Sequence, residues 1–215
     1  THCDIIEAFA AEFLEKLLRY KEKYKFLILE DKKFADIGNT VKMQYREGMF
    51  RIVEWADFVT VHIFPGRGVI EGLREAWKAS KFDARGAILI AEMTSKENLF
   101  SEEILTKAVT WGKEYCDFVV GFIGKGEESH QGYGKLRQLA WPEFLIFMPG
   151  VQLYAKGDTL GQTYITPCEA VEQGADIVIV GRGIYEAERP GDAAQRYREE
   201  AWEAFSLRLK NERAA

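Results

Sequence analysis

Residues 26–40 read Phe26-Leu27-Ile28-Leu29-Glu30-Asp31-Lys32-Lys33-Phe34-Ala35-Asp36-Ile37-Gly38-Asn39-Thr40. The apolar run 26–29 has the length and composition of a buried parallel strand, so Asp31, Lys33 and Asp36 are expected at its C-terminal mouth. An acid, a base and an acid crowded together there cost electrostatic free energy unless a ligand or a reaction uses them. In α/β proteins that end of a strand is where sites are built. Asn39 or Thr40 then reads as the cap of a helix that turns Val41 and Tyr45 inward and breaks near Gly48.

The same alternation continues along the chain. Apolar runs predict strands over Phe26–Glu30, Phe58–Ile63, Ala87–Ala91, Phe118–Ile123, Phe144–Met148 and Ile177–Val180. Helical periodicity covers Asp4–Tyr24, with Ile6, Phe9, Phe13 and Leu17 on one face. It returns around Ile70, Leu73 and Trp77, over Ser101–Tyr115, and from Pro190 to Leu209 with Tyr197, Ala201 and Phe205 inward. Thr166-Pro167-Cys168-Glu169 combines an N-cap, a proline at the first helical position and the glutamate of a capping box. Residues 124–143 read as a loop or a short irregular insertion. Each strand precedes a helix and no composition break marks a linker, so residues 1–215 are expected to form one α/β domain.

Two architectures fit this order: an open doubly wound sheet, or a (β/α)8 TIM barrel whose first two strands are missing from the chain. A Gly-rich turn after an early strand would favour the open sheet, and Gly38 alone does not make one. The residues beyond each strand favour the barrel. They are Asp31, Lys33 and Asp36; Pro65-Gly66; Glu92, Thr94 and Ser95; Gly121; Pro149-Gly150; and Gly181-Arg182-Gly183. Glycine, proline and hydrogen-bonding groups thus recur on one rim, as in barrel enzymes. Arg182, between two glycines after the last strand, stands where barrels commonly hold a phosphate, and a guanidinium grips phosphate oxygens bidentately. The preceding loop offers Gln152, Gln162 and Tyr164 as donors. Glu92 is either a site acid or an inward carboxylate held by a lysine, and His62 reads as a hydrogen-bonded core histidine.

Bulk composition removes other classes. With 29 Lys and Arg against 34 Asp and Glu, the chain has a net charge of −5 and no basic stripe to neutralise nucleic-acid phosphates. No apolar run is long enough to cross a membrane and the sequence shows no signal-type N-terminus, so the expected location is the cytoplasm. Cys3, Cys116 and Cys168 lack metal spacing and read as reduced thiols, mostly in the core. His2, His62 and His130 are scattered, so no metal is expected. The chain opens at Thr1 rather than Met and enters a helix at once, as a clipped segment does.

Residues 26–41 closely resemble the signature of the orotidine 5′-phosphate decarboxylase family in its fungal and animal form. The likeness extends to Thr1-His2-Cys3-Asp4, Trp55-Ala56-Asp57, Glu92-Met93-Thr94-Ser95, Phe118-Val119-Val120-Gly121-Phe122, Pro149-Gly150-Val151, Gly157-Asp158-Thr159-Leu160-Gly161-Gln162 and Gly181-Arg182-Gly183-Ile184. The Asp-x-Lys-x-x-Asp core is shared by a wider suprafamily, whereas the Ile-Gly-Asn-Thr-Val extension is specific. The resemblance implies a (β/α)8 barrel, active as a homodimer with shared sites, that converts orotidine 5′-phosphate to uridine 5′-phosphate (UMP) without cofactor or metal. It implies Asp31 and Lys33 in a charged array beside the leaving carboxylate, with Lys33 as proton donor. Asp36 and Thr40 would be lent to the partner's site. Ser95 would meet the pyrimidine edge, and Gln162, Tyr164 and Arg182 the phosphate, with Pro149 and Gly181 lining the substrate. The family pattern also carries a lysine just before the Thr-His motif and an aspartate on the first strand; both fall upstream of Thr1, so a fragment is expected. The alternatives are a magnesium-dependent sugar-phosphate lyase of the same suprafamily and a non-catalytic fragment that binds nucleotide or dimerises.

Overall fold

The computed structural model describes residues 1–127, 130–154 and 164–214. Its elements in chain order are α1 (Ala11–Tyr24), β1 (Leu29–Phe34), α2 (Gly38–Arg46), β2 (Phe58–His62), α3 (Gly68–Lys78), β3 (Gly86–Ile90), α4 (Glu102–Glu114), β4 (Val119–Ile123), α5 (Lys135–Leu139), β5 (Leu145–Met148), α6 (Pro167–Glu172), β6 (Ile177–Val178), α7 (Arg182–Tyr185) and α8 (Pro190–Ala214). The α/β reading holds: strands alternate with helices, and the recorded strand pairs are parallel. The residues fall into two compact units, one of Thr1–Ile90 with Thr110–Val120 and one of Ala91–Val109 with Gly121–Ala215.

In the first unit β2 lies between β1 and β3, with Phe58↔Gly86 through His62↔Ile90 in continuous register. Val59, Val61, Ala87, Ile88, Leu89 and Ile90 are fully buried, as expected of strands covered on both faces. Asp57 fixes the entry to β2. Its carboxylate accepts the Ile28 N–H at 2.7 Å and pairs with Lys21 at 2.5 Å, while the Ile28 carbonyl accepts the Asp57 and Phe58 N–H groups. Next to it Trp55 is buried and donates its indole N–H to the Phe50 carbonyl at 2.8 Å. The Trp55-Ala56-Asp57 motif is therefore structural.

Several boundaries differ from expectation. The helix expected from Asp4 starts only at Ala11, after one 3-10 turn over Cys3–Ile5. Asp4 instead pairs with Lys32 at 2.7 Å, and the Phe9 ring packs 5.4–5.6 Å from those of Phe13, Phe50 and Trp55. The contacts with Lys32, Phe50 and Trp55 override the local period, and no side chain caps α1 at Ala10. The first strand is likewise Leu29–Phe34 rather than 26–30, so Asp31 and Lys33 lie within it and only Asp36 follows it. Pairing with β2 decides this, because Leu29 opposes Phe58 and Phe34 opposes Val61. Asn39 and Thr40 are inside the first turn of α2, whose flanking residue is Ile37, not at its cap. Val41 and Tyr45 are buried as expected.

In the second unit β5 lies between β4 and β6, with Phe122↔Ile146 and Phe147↔Ile177 among the paired positions. The capping box is present: the Thr166 hydroxyl accepts the Glu169 N–H at 3.2 Å and Glu169 accepts the Thr166 N–H at 2.7 Å. The segment 124–143 contains α5 in addition to loop, and α8 runs five residues past Leu209 to Ala214. Arg208 anchors α8 just before that extension. It donates to the Val171 and Ala175 carbonyls at 3.0 and 2.9 Å and pairs with Asp176 at 2.8 Å, which Arg137 also meets. No helix of the described residues is long and apolar enough to cross a membrane.

The contact of α2 with α3 is glycine-made. A Cβ on Gly72 would lie 2.2 Å from the Gly38 carbonyl oxygen, a backbone atom that cannot swing aside. Gly72→Ala is expected to destabilise the protein by about 1–3 kcal/mol. Gly191→Ala, in α8 with nothing within 4 Å of the added carbon, should be neutral or stabilising. Equal melting temperatures for the two variants would refute this account of the helix pair.

Candidate active site

The pairing of β1 with β2 is irregular at the charged residues. Glu30 opposes Val59 and Phe34 opposes Val61, so three residues of β1 face the single residue Thr60. Such a bulge re-aims side chains, and here Lys33 adopts φ +52°, in the left-handed region. That conformation costs a non-glycine residue about 1–3 kcal/mol. Two bonds from Thr60 offset it. The Lys33 N–H donates to the Thr60 hydroxyl at 2.9 Å, and the hydroxyl donates to the Asp31 carboxylate at 2.7 Å. The second is charge-assisted, of the class contributing about 1.5–3 kcal/mol, so the strained turn is held. The Lys33 ammonium then meets the other Asp31 oxygen at 2.5 Å.

Around this pair the chain places further polar groups. His2 Nε2 lies 3.5 Å from Asp31, and His62, half-buried on β2, is held below the usual histidine value first by burial and then by the Lys33 charge. His62 is thus favoured in its neutral form beside a cation. Glu30, fully buried, accepts the Cys3 N–H at 3.0 Å and the Thr1 hydroxyl. Burial, with Glu30 adding to it, pushes the Cys3 thiol up to about 12. Of the three cysteines only Cys3 is buried; Cys116 and Cys168 are exposed, against the expectation of core thiols, because they sit on outward positions after α4 and in α6. Asp36 does not join Lys33 within the chain: its carboxylate is exposed and accepts the Ile37 N–H at 2.7 Å. Thr40 is half-buried in α2.

The remaining candidates belong to the second unit. Arg182 donates to the Tyr164 hydroxyl at 2.5 Å, with its guanidinium 6.0 Å from that ring's centre, so these two expected phosphate donors are adjacent. Gln162 lies outside the described residues. Gly181 has room for a Cβ, whereas one on Gly183 would fall 2.2 Å from the Tyr197 hydroxyl. That hydroxyl accepts the Leu153 N–H at 3.2 Å. Gly183 therefore makes space for a buried tyrosine, a role the Gly-Arg-Gly reading missed. Ser95 is half-buried and its carbonyl accepts the Asn98 amide at 2.5 Å; Pro149 is half-buried before Gly150, which has φ +74°. Glu92 is held by a backbone group, the Lys125 N–H at 3.0 Å, not by an ammonium.

Thr60, which organises the pair, carried no recognisable signal: a β-branched residue in an apolar strand reads as ordinary strand composition. Among the described residues no three His, Cys, Asp or Glu side chains converge as metal ligands do.

Burial raises the Glu92 carboxyl above its ordinary value of 4.5, against the opposing effect of the Lys125 N–H. A raised folded-state value means the folded protein holds the proton longer than the unfolded chain. The associated stability is full below the unfolded value and is lost as pH rises through the folded one. Glu92→Gln keeps an acceptor for Lys125 and removes this loss. Its melting temperature relative to wild type should rise between acid and neutral pH; a gap that instead widens toward acid would contradict the burial effect.

The family model described as "Orotidine 5′-phosphate decarboxylase / HUMPS family" matches residues 1–197. The orotidine 5′-phosphate decarboxylase of Aspergillus awamori is 42% identical over 97% of this chain and 76% of its own length. That of Schizosaccharomyces pombe is 42% identical over 97% and 75%. The crystal structure of orotidine 5′-phosphate decarboxylase from Pyrococcus horikoshii OT3 is similar with a TM-score of 0.65 and 28% identity, covering 87% of this chain and 80% of that one. An uncharacterized conserved protein from Geobacillus kaustophilus shares the fold, with a TM-score of 0.60 at 21% identity. The six strand-helix repeats are thus those of the (β/α)8-barrel class, and the chain belongs to the orotidine 5′-phosphate decarboxylase / HUMPS family.

Proposed function

We propose that this chain is a carbon–carbon lyase that decarboxylates orotidine 5′-phosphate to UMP, with Lys33 as proton donor and without metal or cofactor. The observation that carries the reading is the Asp31–Lys33 pair, bridged at 2.5 Å on a strained turn, in a chain 42% identical to proteins named for this reaction. In the proposed step the bond from the ring to the carboxylate breaks and carbon dioxide departs. The electron pair stays on the ring carbon, where the fixed ammonium stabilises it and then delivers a proton. Asp31 keeps the Lys33 ammonium aimed through their 2.5 Å contact. Solvent restores the proton afterwards.

Arg182 and Tyr164 are assigned to the phosphate, with Gln162 and Gly181, and their direct contact supports treating them as one donor group. Ser95 is assigned to the pyrimidine edge and Pro149 to the substrate wall. Binding energy at the phosphate is then available to the reacting carbon. Asp36 and Thr40 are assigned to the site of a second copy in a homodimer. Supporting this, Asp36 is exposed and followed by an open apolar residue, Ile37 at 65% exposure, and the helix after it carries another, Met43 at 46%. An apolar surface around a carboxylate is what an interface core with one functional polar group looks like.

Loss of the orotidine 5′-phosphate absorbance, followed in the presence of chelator, tests the reaction. Activity that chelator abolishes would point to a magnesium-dependent relative's chemistry instead, and UMP binding without turnover to a binding role. Lys33→Ala should abolish turnover and largely spare UMP binding, whereas Arg182→Ala should chiefly weaken phosphorylated ligands; an unchanged turnover number for the former removes Lys33 from its role. Mixing Lys33→Ala with Asp36→Ala chains should restore partial activity, and no recovery would count against sharing of sites.

A further inference from the structure

We propose that Thr60 is a positioning residue for the reaction, fixing the Lys33 ammonium by holding both the backbone of Lys33 and the carboxylate of Asp31; this rests on the reading of Lys33 as proton donor. Thr60 sits on the central strand of its unit, fully buried and opposite Ile88. Its hydroxyl has one hydrogen, spent on Asp31 Oδ1 at 2.7 Å. The 2.9 Å contact with Lys33 must therefore run from the amide N–H into a hydroxyl lone pair. Donation thus runs from backbone amide to hydroxyl to carboxylate, and the ammonium donates into the carboxylate's other oxygen.

The register explains why this falls to Thr60. It stands alone opposite residues 31–33, where β1 has no regular ladder partner, and its side chain replaces the missing backbone bond. Removing the hydroxyl leaves the Lys33 N–H without that partner and its φ of +52° without that restraint. Asp31 also loses the donor that orients the oxygen not engaged by Lys33. The ammonium would still be present, but no longer fixed. Threonine suits the task because branching at Cβ limits rotation of the hydroxyl.

An ordinary packing residue would behave differently, and valine separates the two roles. It matches threonine in shape and branching and lacks only the hydroxyl. In the full chain, Thr60→Val is expected to lower kcat by about 10²-fold, the order seen when a reacting group is misplaced, while leaving KM near wild type. Its Lys33 amide should exchange with deuterium faster by about tenfold or more in NMR measurements, the loss of one hydrogen bond. Thr60→Ser should restore both. If the valine variant melts too early to assay, Thr60→Ala, which inserts nothing, takes its place in the comparison with serine. Unchanged kcat and amide exchange in the hydroxyl-free variant, or an equal loss in the serine variant, would overturn the proposal. Should the wild-type chain show no turnover, the proposed function fails, and Lys33 amide exchange in the same variants still decides whether Thr60 fixes that turn.

Discussion

The contact among Lys33, Thr60 and Asp31 is the constraint around which the first unit's chemistry is arranged. Between two fixed rungs of the β1–β2 ladder, β1 has more chain than β2 can pair. The excess is absorbed by a left-handed turn at Lys33, a conformation that hard-sphere crowding makes unfavourable for any side chain with a Cβ. It survives because a buried hydroxyl satisfies its amide. A long, flexible ammonium thus gains a defined position from its own backbone, which a surface lysine lacks. Preorganisation of this kind matters most where charge develops during a reaction, since a fixed donor need not reorient at that moment.

Electrostatics around the pair point the same way. His62 is biased toward its neutral form by burial and by the lysine's charge, so it adds no second cation beside Lys33. Glu30, one residue before Asp31, points instead into the buried contact with Thr1 and Cys3. Neighbouring carboxylates on one strand therefore have different tasks, because successive side chains leave a strand on opposite faces. One ties the N-terminal segment to β1; the other faces the ammonium. In the second unit a different carboxylate, Glu92, accepts a backbone N–H, and burial raises its proton affinity against that bond and the Lys125 charge.

Much of the architecture was legible because it rests on local chemistry. Buried strands such as 86–90 are runs of apolar residues with no alternation, and they fell within a residue of their expected places. The capping box at Thr166 was readable atom by atom, since both of its bonds span three residues. The misplacements share a cause. The start of α1, the shift of β1 and the cap of α2 each depend on a partner distant in sequence: Phe50 and Trp55, the β2 ladder, and α3 against Gly38. The Gly-Arg-Gly segment was half read. Arg182 does meet Tyr164, but Gly183 is small because Tyr197 needs the space.

By itself the sequence determined the α/β class, the succession of strand and helix, and the residue types able to do the chemistry, because hydrophobic period and side-chain functional groups are properties of short stretches. Only the tertiary structure decided how those residues act. Asp31 and Lys33 sit inside a strand, not beyond it, and are aimed by a threonine that sequence reading passes over. The reason is the register: which residue of β2 faces which residue of β1 is set by the packing of two strands separated by a helix, and no local pattern encodes the surplus that makes the bulge.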